Sequence, residues 1–215
     1  MTGHNDSIDM IRSEVFAMME IVQAAMDDFD GVKALLKANH VSNLSAEEQK
    51  SGFVTTNLTD EQLEALIVKE NGVTIAREGG RVIAFALAAP WEYWSQWPLF
   101  VHMIGELGKY DYLGQKLTLE NTYQYGPVCI DRAFRGRGLF ERVFRASLDS
   151  MAERYPIMIT FVNHVNGRSH AAHTRKAGMD VLGNFAFNGS QYYFLACPTK
   201  GPGASGSAHR GKEDL

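Results

Sequence analysis

The chain switches repeatedly between short apolar runs of strand type and stretches whose apolar positions recur at helical spacing. Ile8 to Met18 predicts a short helix, with Met10, Ile11, Phe16 and Met19 as its apolar residues. Glu20-Ile21-Val22-Gln23-Ala24-Ala25 reads as a first strand. Asp27 or Asp28 then caps a helix to about Ala38 that turns Val32, Leu35 and Leu36 inward. Ser45-Ala46-Glu47-Glu48 has the capping-box pattern and starts a short helix. Thr59-Asp60-Glu61-Gln62 starts another, carrying Leu63, Leu66 and Ile67. Val73 to Arg77 and Arg81 to Ala88 are β-rich, and Gly79-Gly80 between them signals a tight hairpin.

After Pro90 the pattern turns helical through Trp91 to Leu107, with a break at Pro98. All three tryptophans lie here. Leu117 to Asp131 is long for one strand, and Gly126-Pro127 marks a bulge or an edge within it. A helix follows from Gly138 to Glu153. Pro156 to Val162 is a continuous apolar run, as in a strand buried on both faces. Val181 to Phe187 and Tyr192 to Cys197 read as two last strands joined through Asn188-Gly189-Ser190. The expected organisation is an N-terminal extension over 1–18, one domain over 19–197 with an aromatic insertion at 90–112, and a flexible Gly/Ser/Lys-rich tail over 198–215.

Composition narrows the class. A length of 215 residues suffices for one domain with a sizeable core. A net charge of -4 gives no overall attraction to nucleic acid or to an anionic membrane. No apolar run reaches the roughly 20 residues needed to span a bilayer. Cys129 and Cys197 alone do not suggest a disulfide framework, and the N-terminus has no secretory apolar region. A cytoplasmic protein is therefore expected.

The chemistry is concentrated between Val128 and Phe144, where a strand-type run turns through two arginine-flanked glycines into a helix. A helix N-terminus offers unpartnered N–H groups and the positive end of the helix dipole to an anion. Gly136 and Gly138 let a ligand approach the backbone, and Arg135 and Arg137 add charged donors. Two phosphate-loop patterns fail. No Gly-Lys-Ser/Thr follows, and Glu141 stands where a dinucleotide fingerprint needs a third glycine.

The loop instead resembles the acyl-CoA loop of the GNAT superfamily of N-acetyltransferases, Arg/Gln-x-x-Gly-x-Gly/Ala. Arg135, Gly138 and Phe140 take its positions, with Phe140 departing from the small residue expected last. A second GNAT motif is matched by Asn166, Ser169, Lys176, Gly178 and Met179, with Met for Phe. The resemblance covers about Glu20 to Cys197, less the aromatic insertion. It implies an α/β (α+β) fold with a mixed, mostly antiparallel sheet flanked by helices. The implied activity is acetyl transfer from acetyl-CoA to a primary amine by direct attack in a ternary complex. Arg135, Gly136, Arg137, Gly138, Leu139 and Phe140 would hold the pyrophosphate. Val128 and Ile130 would meet the pantetheine arm through their backbones, and Asn166 and Ser169 would contact it.

The catalytic groups are less clearly marked. The family's acid is often a tyrosine four residues before the motif's glycine, where this chain has Thr174. Counting seven residues on from Asn166 reaches His173 instead, which shares a helix face with Ser169 and is the expected acid. The family's glutamate base is replaced by Gln124, leaving Glu120, Tyr123, His164 or a water chain. A backbone N–H at the bulge, that of Val128, would stabilise the oxyanion. No metal is expected from His164, His170 and His173, which lack a metalloenzyme helix pattern. Cys129 has no histidine placed to activate it. An acyl-CoA-binding module without turnover stays open as the alternative. The acceptor, a small-molecule or peptide amine, is not readable from the sequence. The aromatic insertion could serve as packing, as an acceptor wall or as a homodimer contact.

Overall fold

Gly79 and Gly80, both at positive φ, close the hairpin between β2 (Val73–Glu78) and β3 (Arg81–Ala89). This hairpin lies in a seven-stranded sheet in a computed structural model that describes residues 19–49 and 52–201. The helix expected over Ile8 to Met18, and the tail beyond residue 201, lie outside those residues. The other strands of this sheet are β1 (Met19–Gln23), β6 (Thr122–Ile130), β7 (Ile157–Asn163), β8 (Asp180–Phe187) and β9 (Ser190–Pro198). Their order is β1-β2-β3-β6-β7-β9-β8, and every neighbouring pair is antiparallel except β6 with β7.

Two irregularities of β6 shape the molecule. Gly126 and Pro127 together oppose Leu87 of β3, because the register runs from Ala86 with Val128 to Ala88 with Tyr125. That extra residue is a β-bulge, as the Gly-Pro step predicted. On its other edge β6 pairs with β7 only from Thr122 to Gln124. Beyond Gln124 the two parallel strands part. Thr160 marks the fork, its hydroxyl donating to the Tyr125 carbonyl at 2.7 Å.

Helices cover both faces. α6 (Leu139–Met151) buries Leu139, Val143, Phe144, Leu148 and Met151 against one face, beside Ile83, Tyr125 and Met158. The opposite face carries α1 (Phe29–Asn39), α3 (Asp60–Val68), α4 (Trp91–Trp94) and α5 (Pro98–Leu107), which share a core with Ile75, Phe85 and Ile159. α2 (Ala46–Gln49) is a single turn capped by Ser45, and α3 closes a capping box between Thr59 and Gln62.

The aromatic segment is two helices packed on the sheet, with Pro98 at the first turn of α5. Trp91 and Trp94 are completely enclosed, and the Trp91 indole N–H donates to Thr122 Oγ1 at 2.8 Å. The strand expected from Leu117 begins only at Thr122. The residues before it form a small hairpin, β4 (Asp111–Tyr112) with β5 (Gln115–Lys116), and then a turn. In that turn Asn121 Oδ1 accepts from the Thr118 N–H at 2.8 Å, so a side chain takes a backbone donor the ladder would need. Among the described residues no helix is long and apolar enough to cross a membrane.

Candidate active site

The glycine loop and α6 form one wall of a cleft. Gly136 and Gly138 have φ of +81° and +74°, which explains glycine at both positions. Among the described residues nothing lies within 4 Å of a Cβ built at either one, so their backbone faces open space. Gly138 is the N-cap of α6 and supplies no side-chain acceptor, so the first-turn N–H groups are left for an anion. Gly136, Gly138, Leu139 and Phe140 all line the cleft, whose volume is about 440 Å³.

The fork between β6 and β7 forms the second wall. The Asp131 N–H donates to the Ile83 carbonyl, so in the alternation of an antiparallel ladder Cys129 also faces β3. Val128 and Ile130 therefore turn their backbone groups to the opposite edge, the one β7 has left. Val128 lines both the cleft and a smaller cavity of about 110 Å³ beyond it. Phe53, Val54, Asn166, Ser169 and His173 are likewise common to both cavities.

The third wall is α7 (Gly167–Ala171) and the turn that continues it. Asn166 caps α7, its Oδ1 accepting from the Ser169 N–H at 3.1 Å. From Ala172 to Lys176 the helix widens into a π turn. A π turn accommodates one extra residue without breaking the helix. It accounts for the one-residue disagreement between the two counts that reach Thr174 and His173. Thr174 bonds back along the helix to the His170 carbonyl at 2.8 Å and lines neither cavity. His173 is the one turned between them.

His173 is buried, and its ring meets Phe140 and Tyr125 edge-on at 5.2 and 5.9 Å between centroids. Nδ1 lies 2.8 Å from the Ser169 main-chain oxygen, which can only accept. Nδ1 thus carries the proton, and Nε2, which bonds to nothing among the described residues, presents a lone pair. Burial pushes the imidazole pKa down to about 4, against an upward pull from the Ser169 carbonyl. The ring is neutral at physiological pH.

Neither a protein-family model nor a curated protein matches the chain. Solved structures do. yncA from Salmonella typhimurium, with its cofactor acetyl-CoA, aligns at 15% identity with a TM-score of 0.56, covering 89% of this chain and 99% of its own. A GNAT-family acetyltransferase from Streptococcus agalactiae aligns at 12% identity and 0.59, covering 85% and 96%. The ribosomal-protein-S18-alanine N-acetyltransferase from Escherichia coli aligns at 11% and 0.55, covering 89% and 100%. The fold is that of the GNAT N-acetyltransferases.

Within this GNAT fold the expected site residues divide. Val128, Ile130, Arg135, Gly136, Gly138, Leu139, Phe140, Asn166, Ser169 and His173 are brought together around the cleft. Arg137 is not among them: it is exposed, and its guanidinium lies over the Phe134 ring at 4.9 Å. Arg135 lines the cleft but is also a brace. Its Nε donates to the Ile130 carbonyl at 3.1 Å and its Nη2 to Asn39 Oδ1 at 3.0 Å. Phe140, where a small residue is usual, is buried under the cleft against His173 and Phe144.

Glu120, one of the expected bases, sits exposed in the turn ordered by Asn121 and lines neither cavity. Tyr123 is fully enclosed, and burial pushes its phenol far up. His164 and His170 stack on Tyr193 at 4.0 and 4.1 Å. The Cys129 thiol is pushed well up by burial and stays protonated. Gln124 is buried at the rim of the smaller cavity.

Three cations in the cleft were given no cofactor role from the sequence: Arg168, Arg175 and Lys176, the last noted only as a motif match. All are exposed, and Lys176 is shared with Glu141 at 3.2 Å. Their clustering in the ten residues after Asn166 was a legible signal. Phe53 and Tyr192, far apart in sequence, meet at the smaller cavity.

Proposed function

We propose that this protein is an acetyl-CoA-dependent N-acetyltransferase that moves an acetyl group to a primary amine by direct attack in a ternary complex. The observation that carries this reading is a neutral histidine with a free Nε2, set in the wall common to a large and a small cavity. The large cleft suits the cofactor, with the α6 N-terminus, two open glycines and three exposed cations for its phosphates. Acetyl-CoA supplies a thioester whose acetyl carbon is open to a nucleophile. Val128 and Ile130 turn their backbone groups to the edge that β7 has left, where the pantetheine amides can pair, although the Ile130 carbonyl already accepts from Arg135. The Val128 N–H is the donor for the oxyanion. The smaller cavity receives the amine. His173 Nε2 takes its proton and passes it to the departing sulfur, acting first as base and only then as acid.

Isothermal titration with acetyl-CoA and with CoA tests this reading, on wild type and Gly138→Asp. A carboxylate at the α6 N-terminus opposes the pyrophosphate, so binding is expected in the wild type and lost in the variant. A folded wild-type protein that binds neither ligand removes the assignment. The buried amide of Gln124, which carries no transferable proton, favours a second reading as an acyl-CoA-binding module. Thiol release over a panel of amines separates the two.

A further inference from the structure

We infer that the acceptor is a weakly basic aromatic amine, an arylamine or arylhydrazine uncharged at neutral pH, seated with its ring in the smaller cavity. This rests on the acetyltransferase reading above and concerns the same site. Three observations on that cavity lead to it.

The first is shape. The cavity holds about 110 Å³; Phe100, Phe161 and Tyr192 line it beside the polar Thr160, Asn163 and Gln124. Phe161 meets Phe100 edge-on at 5.7 Å and Tyr192 edge-on at 5.6 Å. An apolar cavity of roughly 150 Å³ is known to take one benzene ring, so this smaller one seats a single ring only where it opens into the cleft. Aromatic neighbours prefer the offset and edge-on contacts such walls offer.

The second is charge. Every described residue lining the cavity is uncharged at neutral pH, His173 included. An ammonium entering it would shed water and find no carboxylate. Ring faces could hold a cation, but a cation cannot attack. It must first lose a proton, and the His173 ring, titrating at about 4, is far too weak a base to deprotonate an alkylammonium near 10. An aromatic amine arrives already neutral. Its nitrogen becomes acidic only once the new bond to carbon forms, and His173 can then accept the proton.

The third is Gln124. Its side chain is buried at the cavity rim, its Nε2 donates to the Tyr125 carbonyl at 2.6 Å, and its Oε1 is buried with no partner among the described residues. A carboxamide oxygen can accept an N–H from a neutral amine and orient it, but it cannot neutralise an ammonium.

The transfer balances without any further reactant. The amine nitrogen bonds to the acetyl carbon, the carbon–sulfur bond breaks, and the amine proton passes through His173 Nε2 to the CoA sulfur. The products are an N-acetylated aromatic amine and CoA thiol.

The test uses ligands matched in ring and different in charge: aniline, phenylhydrazine and benzylamine, with a short peptide bearing a free N-terminus. Acetyl-CoA binding is measured first by titration. Thiol release then gives kcat/KM at pH 7, and saturation-transfer NMR reads amine binding to the CoA complex. Aniline and phenylhydrazine should bind and react, with kcat/KM at least about tenfold above benzylamine. In Gln124→Glu the new carboxylate should shift that ratio toward benzylamine. The wild-type ratio decides the matter if this variant fails to fold. Preference for benzylamine or the peptide overturns the inference. So does a protein that binds acetyl-CoA but neither binds nor acetylates the aromatic amines, an outcome that leaves the cofactor assignment standing. Failure to bind acetyl-CoA overturns both.

Discussion

His173 Nδ1 lies 2.8 Å from the main-chain oxygen of Ser169, four residues back along the same helix. That contact fixes the tautomer, because a carbonyl can only accept, and it leaves Nε2 to meet a proton. The same packing that removes the ring from water lowers its pKa to about 4, with a smaller downward push from His170. Aniline and phenylhydrazine take up a proton themselves at about pH 5, so the profile is measured with an electron-poor arylamine such as 4-nitroaniline, which stays uncharged well below pH 4. With it kcat/KM should stay level down to about pH 5. It should fall only as His173 is protonated near pH 4, not near 6.5 where a free histidine titrates. His173→Ala should lower kcat by about 10²-fold and flatten that acid limb, while acetyl-CoA affinity by titration stays nearly unchanged. An acid limb at the same place in the variant would assign the proton transfer elsewhere.

The same depressed pKa makes a prediction for stability, with the opposite sign to a paired histidine. The unfolded chain takes up the His173 proton near pH 6.5, and the folded chain only near 4. Between those values the unfolded state holds more protons, so stability falls as pH falls, by at most a few kcal/mol in all. Above pH 6.5 this contribution is complete and constant. Urea midpoints at pH 7, 6 and 5 should therefore drop more steeply for the wild type than for His173→Asn. Parallel slopes would mean that His173 is hydrated in solution.

Arg135 and Arg168 both line the cleft but should respond differently to truncation. Arg135 ties the end of β6 to α1, through the Ile130 carbonyl and Asn39, and is half-buried. Arg168 is exposed. Arg135→Ala should cost about 1–3 kcal/mol of folding stability as well as cofactor affinity. Arg168→Ala should leave stability within about 0.5 kcal/mol and weaken acetyl-CoA binding, with a shallower dependence on salt. Denaturation and titration on both variants separate the brace from the pure ligand contact. Equal stability losses would contradict the division.

Local signals in the sequence predicted most of this architecture. The Gly79-Gly80 hairpin, the Ser45 capping box, the Gly126-Pro127 bulge and the glycine loop each depend on a few adjacent residues, and each is found in place. What escaped depends on contacts distant in sequence or on helix phase. Glu120 read as a candidate base in the strand expected from Leu117, but Thr118 and Asn121 capture the backbone there and hold it in an exposed turn. Phe140 read as a departure at the phosphates, whereas its ring packs below the cleft against His173. The choice between Thr174 and His173 turned on a single π turn, which shifts the helical phase by one residue and leaves no mark in composition.

The aromatic insertion divides into a part that only packs and a part that reaches the smaller cavity. Trp91 on α4 is fully enclosed, bonds to Thr122 and lines neither cavity, whereas Phe100 on α5 reaches the smaller one. Trp91→Phe removes a buried donor from the Thr122 hydroxyl and leaves a void where the larger indole stood. Each loss carries a stability cost, about 1–3 kcal/mol together. Acetyl-CoA affinity and acceptor KM should be unchanged in that variant. Phe100→Ala should instead raise the acceptor KM while the cofactor titration stays as in the wild type. Urea midpoints and the two binding measurements on each variant check the division. A Trp91→Phe protein of full stability but weakened acceptor binding would place α4, and not α5, at the acceptor site.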